Sequence, residues 1–206
     1  MLLCFKGYSL IKEFYDKGST GGVASTLAFC ILEMKLAQGI ICLDHCFPDP
    51  HWFVAYNKAG ILRAAGSTYE YVKFDIPVGN CNLAQIGKPC DLAAGFSPKI
   101  SLFCSHSYRR KKIPITKQYA GLSKSKIRTV LENPIPCFLC SDHIGVSSDI
   151  SVGDTQTDPE INVVLVHSKL GEQLLGYTIN HKYLLLEKIK IEDIKQKQPY
   201  LWRFRK

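Results

Sequence analysis

Between residues 23 and 34 the apolar side chains recur at helical spacing, with no Gly or Pro among them. This predicts a mostly buried helix, with Ser19 or Thr20 capping its start and Gly39 ending it. The pattern then tightens to a short β-type run, Ile40-Ile41-Cys42-Leu43, before a loop that holds Pro48 and Pro50. Residues 52–56 and 61–64 flank Asn57-Lys58-Ala59-Gly60, a turn-rich tetrad that predicts a hairpin. Residues 100–104 read as a strand ending in cysteine, and residues 161–166 as a fully buried strand. The C-terminal part predicts a helix near 172–180, a strand at 184–188 and a charged helix from about Ile191. Sheet and helix patterns alternate along the whole chain. The expected fold is therefore α/β, a mixed sheet with flanking helices in one compact domain.

Composition narrows the class. At 206 residues, 46% apolar and 21% charged, the chain has enough apolar surface for a sizeable core. No apolar run reaches the roughly 18–20 residues of a membrane span. The opening Met1-Leu2-Leu3-Cys4-Phe5-Lys6 is charged too early for a secretory signal, so a cytoplasmic location is expected. The formal net charge is +8, with basic clusters at 109–112, 124–128 and 195–206. Aromatics do not interleave these clusters in a nucleic-acid-binding pattern, which weighs against that partner and leaves solvated faces, an acidic protein or an anionic cofactor.

Nine cysteines in a chain expected to sit in a reducing compartment point towards metal or redox chemistry, and the odd count argues against a closed disulfide framework. Cys137-Phe138-Leu139-Cys140 is a C-x-x-C pair, a spacing that lets two thiolates face one metal. Cys90 follows a Gly-x-Pro turn and Cys104 closes a strand. Taken as a set, these four suit an iron–sulfur cluster, a tetrahedral structural zinc or buried free thiols. Cys137 and Cys140 alone also suit a dithiol oxidoreductase. Cys30 and Cys42 fall in apolar elements and read as core. The Gly18-Ser19-Thr20-Gly21-Gly22 turn opens a helix, an arrangement that serves either to bind an anion or to pack a capped helix tightly.

Several motifs, in order, resemble a known family. Gly18-Ser19-Thr20-Gly21-Gly22 with Thr26 is similar to the Ser-Gly-Gly-x-x-Thr motif of the coenzyme F420 hydrogenase/dehydrogenase beta subunits. Gly66-Ser67-Thr68-Tyr69 is similar to their Gly-Ser-Lys-Tyr, and Gly87-Lys88-Pro89-Cys90 to their Gly-Thr-Pro-Cys. Leu102-Phe103-Cys104 resembles their strand-borne cysteine. Cys137-x-x-Cys140-Ser141-Asp142, leading to Ser148-Asp149-Ile150-Ser151-Val152-Gly153-Asp154, resembles Cys-x-x-Cys-x-Asp followed by Ala-Asp-Ile-Ser-x-Gly-Asp. Thr68 and Lys88 depart from the usual Lys and Thr.

The resemblance implies an electron-transfer oxidoreductase subunit carrying FAD and a 4Fe-4S cluster. It implies Cys90, Cys104, Cys137 and Cys140 as cluster ligands. Ser19, Thr20, Gly21, Gly22, Thr26, Ser67, Tyr69, Asp149, Gly153 and Asp154 would lie at the flavin. Residues 1–206 would form one domain, with a flavin-binding part at 1–85 and a cluster-binding part at 86–206. A hydride carrier such as coenzyme F420, other redox subunits or a ferredoxin-like protein would be the partners. A zinc-stabilised basic binding module is the alternative class.

Overall fold

The computed structural model describes residues 2–44, 50–66, 83–86, 101–105, 145, 148–155, 158 and 160–197, with 83–86, 101–105 and 195–197 described through their backbone alone. Among the described residues, eight strands form one sheet: β1 (Leu3–Ser9), β2 (Gly39–Asp44), β3 (His51–Ala55), β4 (Leu83–Ile86), β5 (Ser101–Ser105), β6 (Ile150–Asp154), β7 (Asn162–Val166) and β8 (Leu184–Lys188). Among the described residues, five helices accompany them: α1 (Lys12–Lys17), α2 (Val23–Glu33), α3 (Lys58–Ala64), α4 (Lys169–Asn180) and α5 (Ile191–Lys197). The mixed sheet with flanking helices agrees with the fold class expected from sequence.

The spatial order is β3-β2-β4-β5-β6-β7-β1-β8. Strands β2, β4, β5 and β6 run parallel, while β3, β7 and β8 pair antiparallel to their neighbours. Being antiparallel to β7, which is itself antiparallel to β6, β1 points the same way as the parallel block. The carboxyl ends of β1, β2, β4, β5 and β6 therefore share one edge of the sheet. In open α/β sheets that edge is where ligands bind.

Helix α2 lies over the sheet because its apolar residues form one face. Val23, Leu27, Cys30 and Ile31 are fully buried at the i, i+4, i+7 and i+8 spacing of a core-facing stripe, which Ala28, also fully buried, widens. They pack with Phe14, Ile40, Ile61, Ile150, Val152, Val164, Val166 and Leu174 into the main core. The other face of the sheet holds a smaller cluster in which Cys4 and Leu165 meet Ile194 of α5. Alternation along β7 explains the split, since Val164 and Val166 face the main core and Leu165 faces α5.

Three expectations need correction. The tetrad after β3 is not a hairpin turn: Asn57, in extended conformation, caps helix α3, its side chain accepting a 3.0 Å hydrogen bond from the Gly60 amide. Asn serves turns and N-caps alike, and the following Ile61 satisfies its burial on a helix as well as on a strand. Neither Ser19 nor Thr20 caps α2. Gly22 occupies the N-cap in a left-handed conformation (φ 70°), with no side-chain bond of its own. The far end of α2 closes at Met34, five residues before Gly39, followed by Lys35 at φ 54°. Gly39 instead begins β2, where a Cβ would stand 2.6 Å from Val54 Cγ1. Strand β1 and helix α1 had no counterpart among the expected elements.

Candidate functional site

At the shared carboxyl edge, the chain leaves β1, turns through α1 and enters α2 by way of the glycine loop. Gly21 (φ 23°) and Gly22 (φ 70°) both adopt conformations that disfavour other residues. Space forbids substitution as well. A Cβ on Gly21 would stand 2.8 Å from Asn162 Oδ1 and 2.9 Å from the Glu160 carbonyl, and one on Gly22 would meet the Phe14 carbonyl. The loop is stitched to the sheet by the Ser9 amide, which donates to the Gly21 carbonyl at 2.7 Å.

Thr20, Gly21, Gly22, Gly153 and Asp154, all expected from the sequence, meet here. Thr20 Oγ1 donates to Asp154 Oδ1 at 2.8 Å, bringing the loop onto the end of β6, where Gly153 also lies. Asn162, at the head of β7, donates from Nδ2 to Thr20 Oγ1 at 2.7 Å, and its Oδ1 accepts from the Val23 amide at 3.3 Å. The first three amides of an α-helix have no partner within it. In α2 the Val23 amide is taken by Asn162, while those of Ala24 and Ser25 keep no partner among the described residues. Both residues are only partly buried, and their N–H groups stand at the positive end of the helix dipole, which favours an anion. Exposed Ser19 lies on the same loop. Close backbone approach, two donors without a partner among the described residues and a helix N-terminus suit an anion such as the pyrophosphate of FAD.

Other expected residues sit differently. Thr26 is fully buried, donating to the Gly22 carbonyl at 3.1 Å and lying 2.6 Å from Ser9 Oγ, so it ties α2 to β1. Asp149 precedes β6 and Asp154 ends it, about 16 Å apart along the strand at ~3.3 Å per residue. There Asp149 accepts a 2.5 Å hydrogen bond from Ser168, the N-cap of α4. Cys104 stands on β5 with Val152 as its Cα partner, one row from the Ser105–Gly153 pair at the carboxyl edge. Cys90, Cys137, Cys140, Ser67 and Tyr69 lie outside the described residues. No group of three or more metal-ligating side chains occurs among the described residues. Cys4, Cys30 and Cys42 are buried.

Sequence reading missed Asn162, which is buried, and the polar cluster at the other end of β6. In that cluster Ser151 Oγ lies 2.8 Å from His167 Nε2, and Ser148 donates to the Gly145 carbonyl at 2.6 Å. The only available signal for Asn162 was a lone amide heading the apolar run Val163-Val164-Leu165-Val166. Next to the loop, Tyr15 ionises above its usual range, through burial first and then its hydrogen bond to Glu160.

Residues 4–75 match the sequence model of the coenzyme F420 hydrogenase/dehydrogenase beta subunit N-terminal region, and residues 115–192 match that of its C terminus. The chain belongs to this family. An uncharacterized protein of Methanocaldococcus jannaschii is similar to this beta-subunit-family chain at 24% identity, over 85% of this chain. The chain spans 64% of that relative's length. A chain of the F420-reducing NiFe hydrogenase complex from Methanosarcina barkeri has the same fold, with a TM-score of 0.70 at 17% identity over 98% of this chain and 86% of that one. Among the described residues, no helix of this family member is long and apolar enough to cross a membrane.

Proposed function

We propose that this chain is an electron-transfer oxidoreductase subunit that binds FAD at the glycine loop and a 4Fe-4S cluster through Cys90, Cys104, Cys137 and Cys140. The observation that carries the reading is the loop itself. In a chain of this family, two left-handed glycines and two helix amides without a partner among the described residues lie on the sheet edge to which β5 delivers Cys104. Ser19, Thr20, Gly21 and Gly22 would hold the anionic part of the flavin, with Gly153 and Asp154 beside them. Ser67, Tyr69 and Asp149 complete the set of flavin residues implied by the resemblance, and Thr26 would keep α2 in place.

When bound, FAD supplies hydride chemistry and the cluster supplies single-electron transfer. The protein's own groups bind, orient and shield them. The hydride carrier is of the coenzyme F420 type, and the electron partners are other redox subunits or a ferredoxin-like protein, in keeping with the complex in which the same fold occurs. A soluble, cytoplasmic setting follows from that assignment.

The deciding experiment is anaerobic purification followed by a visible spectrum before and after dithionite, with iron, sulfide and zinc assayed on the same sample. Flavin bands over a broad sulfur-to-iron absorption that bleaches on reduction are expected. A colourless protein with one zinc per chain would replace the electron-transfer reading with a metal-stabilised binding module.

A further inference from the structure

We propose that Asn162 is the positioning residue of the glycine loop, selecting which helix amides remain available to the bound anion; the ligand half of this inference rests on the FAD reading above. The bond directions follow from the chemistry of the partners. Asp154, as a carboxylate, can only accept, so Thr20 must donate its single hydroxyl proton to it at 2.8 Å. That leaves the Thr20 oxygen free to accept, and the group 2.7 Å from it must be the Asn162 amide nitrogen. With Nδ2 so placed, Oδ1 is turned towards Val23, whose amide donates to it at 3.3 Å. The chain of donors runs one way, from Val23 N–H to Asn162, then from Asn162 to Thr20 and from Thr20 to Asp154.

Three consequences for the loop follow. Asn162 closes the first amide of α2 and leaves those of Ala24 and Ser25 open, so the anion is directed to one side of the helix start. The Oδ1 atom also stands 2.8 Å from where a Cβ on Gly21 would lie, so it leaves room at this turn of the loop for glycine alone. Because Asn162 is 4% exposed and sits in register between Gly7 of β1 and Asp154 of β6, the sheet fixes its position. The loop inherits that rigidity. A loop already set before the ligand arrives loses less freedom on binding.

Asn162→Ala tests this by two readings on the full chain: amide hydrogen exchange of the protein without flavin, and the dissociation constant for added FAD. Exchange at the hydrogen-bonded loop amides of Gly18, Gly22 and Val23 is expected to quicken at least tenfold while that of α4 holds, and FAD is expected to bind at least tenfold more weakly. Uniformly faster exchange would mark Asn162 as a general core residue and overturn the proposal, as would unchanged loop exchange or unchanged affinity. Should the alanine variant fail to fold, Asn162→Asp keeps the size and the acceptor for Val23 but loses the donor to Thr20. The same local quickening is expected there, and its absence overturns the proposal. If the parent protein binds no FAD, the flavin reading falls on its own, and loop exchange alone then decides whether Asn162 sets the loop.

Discussion

The thiol of Cys30 is fully buried in the face of α2 that meets the sheet, and burial pushes its pKa up to about 12, with Glu33 adding to the rise. A thiol held neutral in this way is a poor nucleophile and metal ligand. Cys30 is therefore expected to resist iodoacetamide in the folded protein at neutral pH, and Cys4 and Cys42 are expected to be shielded by burial, all three reacting only on unfolding as counted by mass spectrometry. The same shift has a signed effect on stability. Unfolded, the thiol ionises near 9, so the contribution is intact below pH 9 and is lost as pH rises towards 12. The loss amounts to at most about 4 kcal/mol, taking ~1.4 kcal/mol per pH unit. Urea melts from pH 8 to 11 should show a steeper alkaline decline for the parent than for Cys30→Ala.

Caps decide the element scale. Ser168 Oγ accepts from the Gly171 amide at 3.0 Å and donates to Asp149 at 2.5 Å, so it joins the start of α4 to the residue before β6. Ser168→Ala is expected to cost about 1–2 kcal/mol, towards the upper end of the cap range because two bonds go. Asn57→Ala, which loses a single exposed cap bond, should cost about 1 kcal/mol or less. Chemical denaturation of both variants checks the order as well as the size. In the core stripe of α2, Leu27→Ala is expected to cost about 2–5 kcal/mol.

These elements also show what local pattern can carry. The α2 stripe was legible because its period is written in consecutive residues, and β8 was legible at its full length. Asn57 was ambiguous because one side chain suits two local structures, and the bond that decides between them is made only in the folded helix. The cap of α2 was illegible for another reason. Its acceptor belongs to Asn162, 142 residues beyond Thr20, and no window along the sequence holds both. The family motifs brought Thr20, Gly21, Gly22 and Asp154 into view, but the residue that binds them together bears no motif.

At the scale of the whole molecule, β1 lies between β7 and β8, although the strands that follow it in sequence occupy the far side of the sheet. The N-terminal strand is thus enclosed by the C-terminal part. Residues 1–100 expressed alone should lack a cooperative thermal transition by circular dichroism, and supplying residues 101–206 in the same cell should restore one. A cooperative transition in the fragment alone would show that its strands suffice without β7 and β8.

That placement of β1 sets a timetable for biosynthesis. The strand is made early, yet its partner residues Asn162–Val166 follow only about 160 residues later. At about 5–20 residues per second, the wait is on the order of ten seconds or more. Throughout it Leu3 and Phe5 have no sheet to rest on, so the nascent chain, rather than the finished protein, is the form most in need of a chaperone.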